Sequence, residues 1–149
     1  MDTTAAPFVL NLPVRFADVD HAGIVYYPRY FHLFHLALEE FLRSQLGAQG
    51  YRRLLDDEQL GFPTVSAQCD YRAPLRFGDL AEVLMIVAKR GQRSLTLGFR
   101  VHRLADDERP RALCAEGSTV CAIVDLAEFH AVPMPDKLAA VFGTLSSSF

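Results

Sequence analysis

The run from Pro28 to Leu46 is apolar on nearly every side of a helix, and it restricts the fold more than any other segment. Tyr30, Phe31, Phe34, Leu38 and Phe41 recur at helical spacing and form one stripe. Leu33, Leu36, Ala37 and Leu42 widen that stripe almost all round. A helix apolar on so many sides has to be wrapped by the rest of the chain. Pro28 suits the first turn, where its missing N–H is no loss. Gly47 is placed as a C-cap. Glu39 and Arg43 read as an i,i+4 pair on the remaining wet side.

The wrapping material is strand-like. Phe8–Phe16 alternates, with Leu10, Leu12, Val14 and Phe16 on one face, although Pro13 suits an edge or a bulge. A short charged helix is expected over Tyr51–Gln59. After Gly61 the pattern turns to strands at Phe62–Tyr71, Leu80–Arg90, Ser94–Leu104 and Ala112–Val124. The breaks at Ala73-Pro74 with Phe77-Gly78-Asp79, at Gly91-Gln92 and at Asp106–Pro110 are short, which means antiparallel hairpins. A helical turn or two is expected over Pro135–Phe142, and Leu145–Phe149 is expected to fray. The resulting class is α+β: an antiparallel five-stranded sheet wrapped around one long central helix, the arrangement called a hotdog fold. With 149 residues and no linker or repeat, a single domain over residues 1–149 is expected. One such unit leaves sheet edges open, which predicts at least a dimer and, beyond it, a homotetramer built as a dimer of dimers.

Composition narrows the function. Half of the residues are hydrophobic, enough for a real core. The net charge is −3 and no basic stripe runs along the chain, so nucleic acid is not an expected partner. Met1–Pro7 has neither a basic n-region nor an apolar h-region. No apolar run approaches the ~20 residues of a membrane span. Cys69, Cys114 and Cys121 are far apart with no CxxC, which reads as buried free thiols in a reducing compartment. A soluble cytoplasmic protein is the expectation.

Between the first strand and the helix lies Phe16-Ala17-Asp18-Val19-Asp20-His21-Ala22-Gly23-Ile24-Val25-Tyr26-Tyr27. A carboxylate beside a helix N-terminus puts a proton acceptor next to unpaired backbone N–H donors. That pairing suits attack on a carbonyl whose oxygen becomes negative. The same aspartates also suit a turn or a cap, so the residues alone leave both roles open. An Asp is a weak base at its usual pKa of ~3.9. Burial beside Ile24, Val25 and Tyr26 would raise that value, and the helix N-terminus would lower it.

The segment Asp18–Tyr30 resembles the signature of the 4-hydroxybenzoyl-CoA thioesterase family of hotdog proteins. Its pattern is an acid, any residue, a second acid, two residues, glycine, two apolar residues, an aromatic and then Tyr or His. The Tyr27-Pro28-Arg29-Tyr30 ending is similar to the aromatic-acyl branch, and Phe77-Gly78-Asp79 resembles the family's common Gly-Asp. The resemblance implies hydrolysis of an acyl-CoA, aromatic such as hydroxybenzoyl-CoA or of medium length, to free acid and CoA, with no cofactor and no metal. It makes Asp20 the catalytic carboxylate, as nucleophile or as general base, and leaves Asp18 a turn role. It gives the Tyr27 backbone N–H the thioester oxygen. The helix residues beyond would line the acyl pocket together with a partner subunit.

The resemblance also carries over binding positions. His35 lies two turns into the helix, where relatives place polar contacts to the acyl group. Phe62 and Thr64, with Pro63 between them, border the acyl pocket, or are ordinary strand packing. Arg90, Arg93 and Ser94, with Lys89, flank the hairpin at which relatives hold the CoA nucleotide, and Arg suits phosphate. The plainer reading is a solvated hairpin tip. Arg72 and Arg76 are further cations without a motif. His32, His35 and Glu39 share a helical face, but no HExxH and no fourth ligand accompany them, so no metal site is expected. There is no GxSxG, P-loop or GxGxxG. The alternatives are a fatty acyl-CoA or acyl-carrier-protein thioesterase, and a hotdog module that binds an acyl thioester without turnover.

Overall fold

Alternation places Phe8, Leu10 and Leu12 on the inner side of β1 (Phe8–Pro13), the side that meets the helix. The computed structural model describes residues 5–149, so part of the Met1–Pro7 stretch lies outside the described residues. The long helix, α1, spans Arg29–Leu46 and buries Tyr30, Leu33, Phe34, Ala37, Leu38, Phe41 and Leu42. Pro28 precedes it as N-cap, and Gly47 closes it at φ 88°, a conformation that favours glycine, with its N–H on the Arg43 carbonyl. A short helix α2 (Gly50–Asp56) follows.

The main sheet has five antiparallel strands in the order β1-β4-β5-β6-β3. These are β3 (Thr64–Tyr71), β4 (Leu80–Arg90), β5 (Ser94–Arg103) and β6 (Ala112–Ala122) beside β1. Val83 and Met85 of β4 and Leu95, Leu97, Phe99 and Val101 of β5 form the buried face against α1. Phe34 stacks on Phe99 at 4.4 Å between ring centroids, and this close approach needs Gly117, which pairs with Phe99 in β6. A Cβ on Gly117 would collide with the Gln68 carbonyl oxygen and the Phe34 ring. The hotdog expectation therefore holds, with the helix seated where the sheet lacks a side chain.

Four details differ from the sequence expectation. β1 ends at Pro13 rather than Phe16: proline cannot extend the ladder, the Val14 N–H turns to the Asp79 carbonyl at 2.8 Å, and Phe16 is 81% exposed in a 3₁₀ turn. The second helix stops at Asp56, and Gln59 adopts φ 49°. Leu60–Gly61 is then a separate strand, β2, which joins β7 (Val124–Asp125) and β8 (His130–Ala131) in a small second sheet. The terminal residues after α3 (Asp136–Phe142) do not hang free: the Val87 N–H donates to the Ser146 carbonyl at 3.1 Å, and the Phe149 ring lies 4.5 Å from the Arg100 guanidinium. They fill the β4 edge that β1 leaves uncovered beyond the Phe8–Met85 pair. All three cysteines are free thiols, Cys114 and Cys121 buried and Cys69 half-buried.

The turn before β4 is anchored electrostatically. The buried Asp79 carboxylate accepts from the Arg76 N–H at 2.9 Å and from Arg109 Nη2 at 2.7 Å. Arg109 also grips Asp106, and that bond holds the exposed Asp106 carboxyl low, at about 2. A depressed carboxyl contributes stability above its ordinary pKa and loses it as pH falls through the folded value. The Asp106 carboxyl carbon should therefore titrate near pH 2 by NMR, and Arg109→Leu should raise it part of the way toward the ordinary carboxylate range, since the Glu108 and Arg109 N–H groups still donate to it. An Asp106 midpoint unmoved by Arg109→Leu would disprove the Arg109–Asp106 bond.

Candidate active site

The segment from Arg15 to Arg29 is a loop closed on itself by its own backbone. The Asp18 carboxylate accepts from the Arg15 N–H and from Arg29 Nε, each at 2.8 Å, and its carbonyl accepts from the Tyr26 N–H at 2.9 Å. Asp18 thus ties the loop to the first residue of α1, more than the turn role expected of it. Gly23 at φ 83° allows the reversal in which the Asp20 N–H bonds the Ile24 carbonyl. The Val25 N–H then bonds the Leu75 carbonyl at 2.8 Å, which fastens the loop to the turn that Asp79 holds.

Asp20 Oδ1 accepts from the Ala22 N–H at 2.8 Å, an Asx turn, and Oδ2 takes up no hydrogen bond among the described residues. The burial expected beside Ile24, Val25 and Tyr26 is not supplied by this chain: Asp20 is exposed. Two residues before α1, the Tyr27 N–H takes up no hydrogen bond among the described residues. Its own peptide is fixed, because the Tyr26 carbonyl accepts from the Arg29 N–H at 2.8 Å. On the far side of Tyr27, its carbonyl accepts from Tyr71 Oη at 2.8 Å.

Beside Tyr27 a cavity of about 460 Å³ opens, lined by Ile24, Tyr30, Tyr71, Arg72 and Pro74 among others, while Asp20 lies outside this lining. Its walls are aromatic: Tyr71 meets Tyr30 at 5.2 Å and Tyr27 at 6.4 Å, both edge to face. Burial, ahead of the neighbouring Cys69, pushes the Tyr71 phenol up to about 12, so it stays a protonated donor. Burial likewise raises Tyr30. Arg72 Nη2 sits 2.9 Å from Glu116 Oε1 at the rim.

The other sequence candidates lie elsewhere in the chain. His35 is exposed, its Nε2 3.3 Å from Glu39 Oε1, and that contact replaces the expected Glu39–Arg43 pair. Phe62 packs between Tyr51 and Phe142. Thr64 is exposed at the start of β3, its Oγ1 3.9 Å from Cys121 Sγ. Arg90 Nη1 donates to the Ala139 carbonyl at 2.9 Å, while Arg93 is exposed and Ser94 half-buried. Arg90 and Leu80 are the two ends of β4, ten steps of about 3.3 Å or roughly 33 Å apart. The hairpin cations and the cavity thus occupy opposite ends of one chain. At the hairpin end, the ligand atoms of Asp125, Glu128 and His130 fall within 4.8 Å of one another on an exposed turn. Among the described residues, no helix is long and apolar enough to cross a membrane.

The family model described as the thioesterase-like superfamily matches residues 14–142, which includes the whole of this loop and cavity. The chain belongs to that superfamily. The resemblance drawn from Asp18–Tyr30 is borne out. The chain is 29% identical to the acyl-CoA thioesterase YbgC of Haemophilus influenzae over 134 residues, 89% of this chain and 93% of that protein. It is 30% identical to a 1,4-dihydroxy-2-naphthoyl-CoA hydrolase of Thermosynechococcus vestitus over 127 residues, 85% of this chain and 82% of that one. The fold superimposes on a Synechocystis 1,4-dihydroxy-2-naphthoyl-CoA thioesterase with TM-score 0.80 at 22% identity, covering 93% and 96% of the two chains.

Removing the Asp18 carboxylate leaves the Arg15 N–H and the Arg29 guanidinium without their acceptor. Asp18→Ala should lower the unfolding free energy by about 1–3 kcal/mol, measured by urea denaturation. A loss below a few tenths would mean that the loop is held by its backbone bonds alone.

Proposed function

We propose that the chain is an acyl-CoA thioesterase acting on aromatic acyl groups, with Asp20 and the Tyr27 N–H as its catalytic groups. The observation that carries this reading is the unpaired Tyr27 N–H beside a tyrosine-walled cavity, in a chain of the thioesterase-like superfamily. A planar acyl group fits edge-to-face walls, and the named substrate of the T. vestitus relative is an aromatic acyl-CoA. In the reaction the thioester oxygen accepts the Tyr27 N–H, which stabilises the negative charge as the carbonyl becomes tetrahedral. Asp20 Oδ2 either attacks the carbonyl carbon and expels the CoA thiolate, giving an anhydride that water then opens to regenerate the carboxylate, or takes a proton from a water whose attack expels the thiolate. Either route consumes one water and yields the acid and the CoA thiol.

The reading requires two copies. β3 is an edge strand, exposed along almost its whole length, with Val65 65% exposed. Antiparallel self-pairing of β3 about a dyad near its middle would set a residue such as Ala67 opposite the same residue of the other copy. The Thr64 end of one copy then lies near the Tyr71 end of the other, which would bring Phe62, Thr64 and the 90–94 hairpin of one copy toward the cavity of the other. His35, on the exposed side of α1, would contact the acyl group from the helix. Arg93 and Ser94, with Arg90, would then hold the phosphates of CoA while its acyl end reaches Tyr27 of the second copy. The same pairing would cover the exposed Asp20. Exposed Phe16 and Phe77, edge to face at 6.2 Å, offer an apolar patch through which two dimers form the homotetramer. Free thiols on all three cysteines accord with work in a reducing cytoplasm.

Thiol release should be fastest with benzoyl-, hydroxybenzoyl- or dihydroxynaphthoyl-CoA and slow with straight-chain acyl-CoAs. Asp20→Asn should cut kcat by at least about 10²-fold while binding persists. Tight acyl-CoA binding with no release from any substrate would instead mean a binding module. For the dimer, Ala67→Lys with Gln68→Lys puts like charges against their own copies at the middle of the seam. That variant should sediment as a monomer and lose turnover; a fully active dimer would rule out β3 as the seam.

A further inference from the structure

Pro28 lacks an N–H, so the peptide that joins Tyr27 to the helix has no donor of its own with which to hold itself in place. Its carbonyl has one hydrogen bond among the described residues, from Tyr71 Oη at 2.8 Å. The Phe31 N–H, which could otherwise have reached back to it, goes to the Pro28 carbonyl at 3.1 Å. The preceding peptide carries the Tyr27 N–H and is pinned on its carbonyl side by the Arg29 N–H. The direction of that N–H therefore depends on two restraints, one from the helix and one from a phenol on another element.

We propose that Tyr71 is a positioning residue for hydrolysis: its hydroxyl clamps the Tyr27 carbonyl and so aims the Tyr27 N–H at the thioester oxygen. The inference rests on the acyl-CoA thioesterase reading and adds to it a residue outside the Asp18–Tyr30 motif. Tyr71 is the last residue of β3, a strand far from Tyr27 in sequence, so the clamp links the oxyanion donor to the sheet edge. Its ring, 44% exposed, also closes the cavity against Tyr30 and Tyr27. The hydroxyl is separable from that ring: phenylalanine keeps both edge-to-face contacts and removes only the hydrogen bond.

Tyr71→Phe should lower kcat about tenfold, the worth of one neutral hydrogen bond, with KM for benzoyl-CoA within twofold of wild type. Loss of a general packing contact would instead raise KM and lower the melting temperature. A second readout needs binding but no turnover. In the Asp20→Asn background, bound benzoyl-CoA labelled with ¹³C at the thioester carbonyl should give a carbonyl infrared band at higher wavenumber when Tyr71→Phe is added, because the oxygen is less polarised. Equal kcat together with an unmoved band would overturn the clamp. A wild-type chain inactive on every acyl-CoA would overturn the thioesterase reading instead, and the infrared comparison would still decide the role of Tyr71.

Discussion

An amide N–H without a protein partner among the described residues, set beside an aromatic wall at the start of the helix, is the feature on which the proposed site depends. At the start of a helix such a donor is open to water or to a ligand oxygen. The groups around it are already bonded: the Tyr26 N–H to Asp18, the Tyr26 carbonyl to Arg29 and the Tyr27 carbonyl to Tyr71. A donor fixed in this way needs no reorganisation when charge develops on a bound oxygen, which is the condition for strong transition-state stabilisation.

The fold supplies the rigidity. Because α1 is apolar nearly all round, the sheet has to curl about it, and the stacked Phe34–Phe99 pair over Gly117 sets how closely they approach. The helix start is then a fixed point in a packed core. The loop that carries Asp20 hangs between that point and the Leu75–Asp79 turn, itself tied down by Arg109. Two charge clusters, Asp18–Arg29 and Asp79–Arg109, thus brace the loop from opposite sides.

Much of this was legible beforehand, for identifiable reasons. The long helix and the strands Leu80–Arg90 and Ser94–Arg103 carry a periodicity that burial enforces, and their limits matched within a residue or two. The two-residue strands Leu60–Gly61 and Val124–Asp125 were not legible, because pairs so short have no period. The docking of the terminal residues on β4 depends on where β1 begins, a tertiary fact. Of the proposed site, Asp20 and Tyr27 were marked by a local motif. Tyr71 was not, since its partner lies 44 residues away and nothing in Cys69–Arg72 distinguishes a clamp from a strand end. Asp20, His35, Phe62, Thr64 and the 90–94 hairpin fall outside the cavity lining of their own chain, so the roles proposed for them depend on a second copy that one sequence does not display.

The most direct test removes the donor itself. Replacing Tyr27 by its α-hydroxy acid exchanges the amide N–H for an ester oxygen and keeps the phenol ring. Turnover of the best aromatic acyl-CoA should fall by about 10²–10³ with the fold intact by circular dichroism. Undiminished turnover in that folded ester variant would contradict the central role given to the Tyr27 N–H.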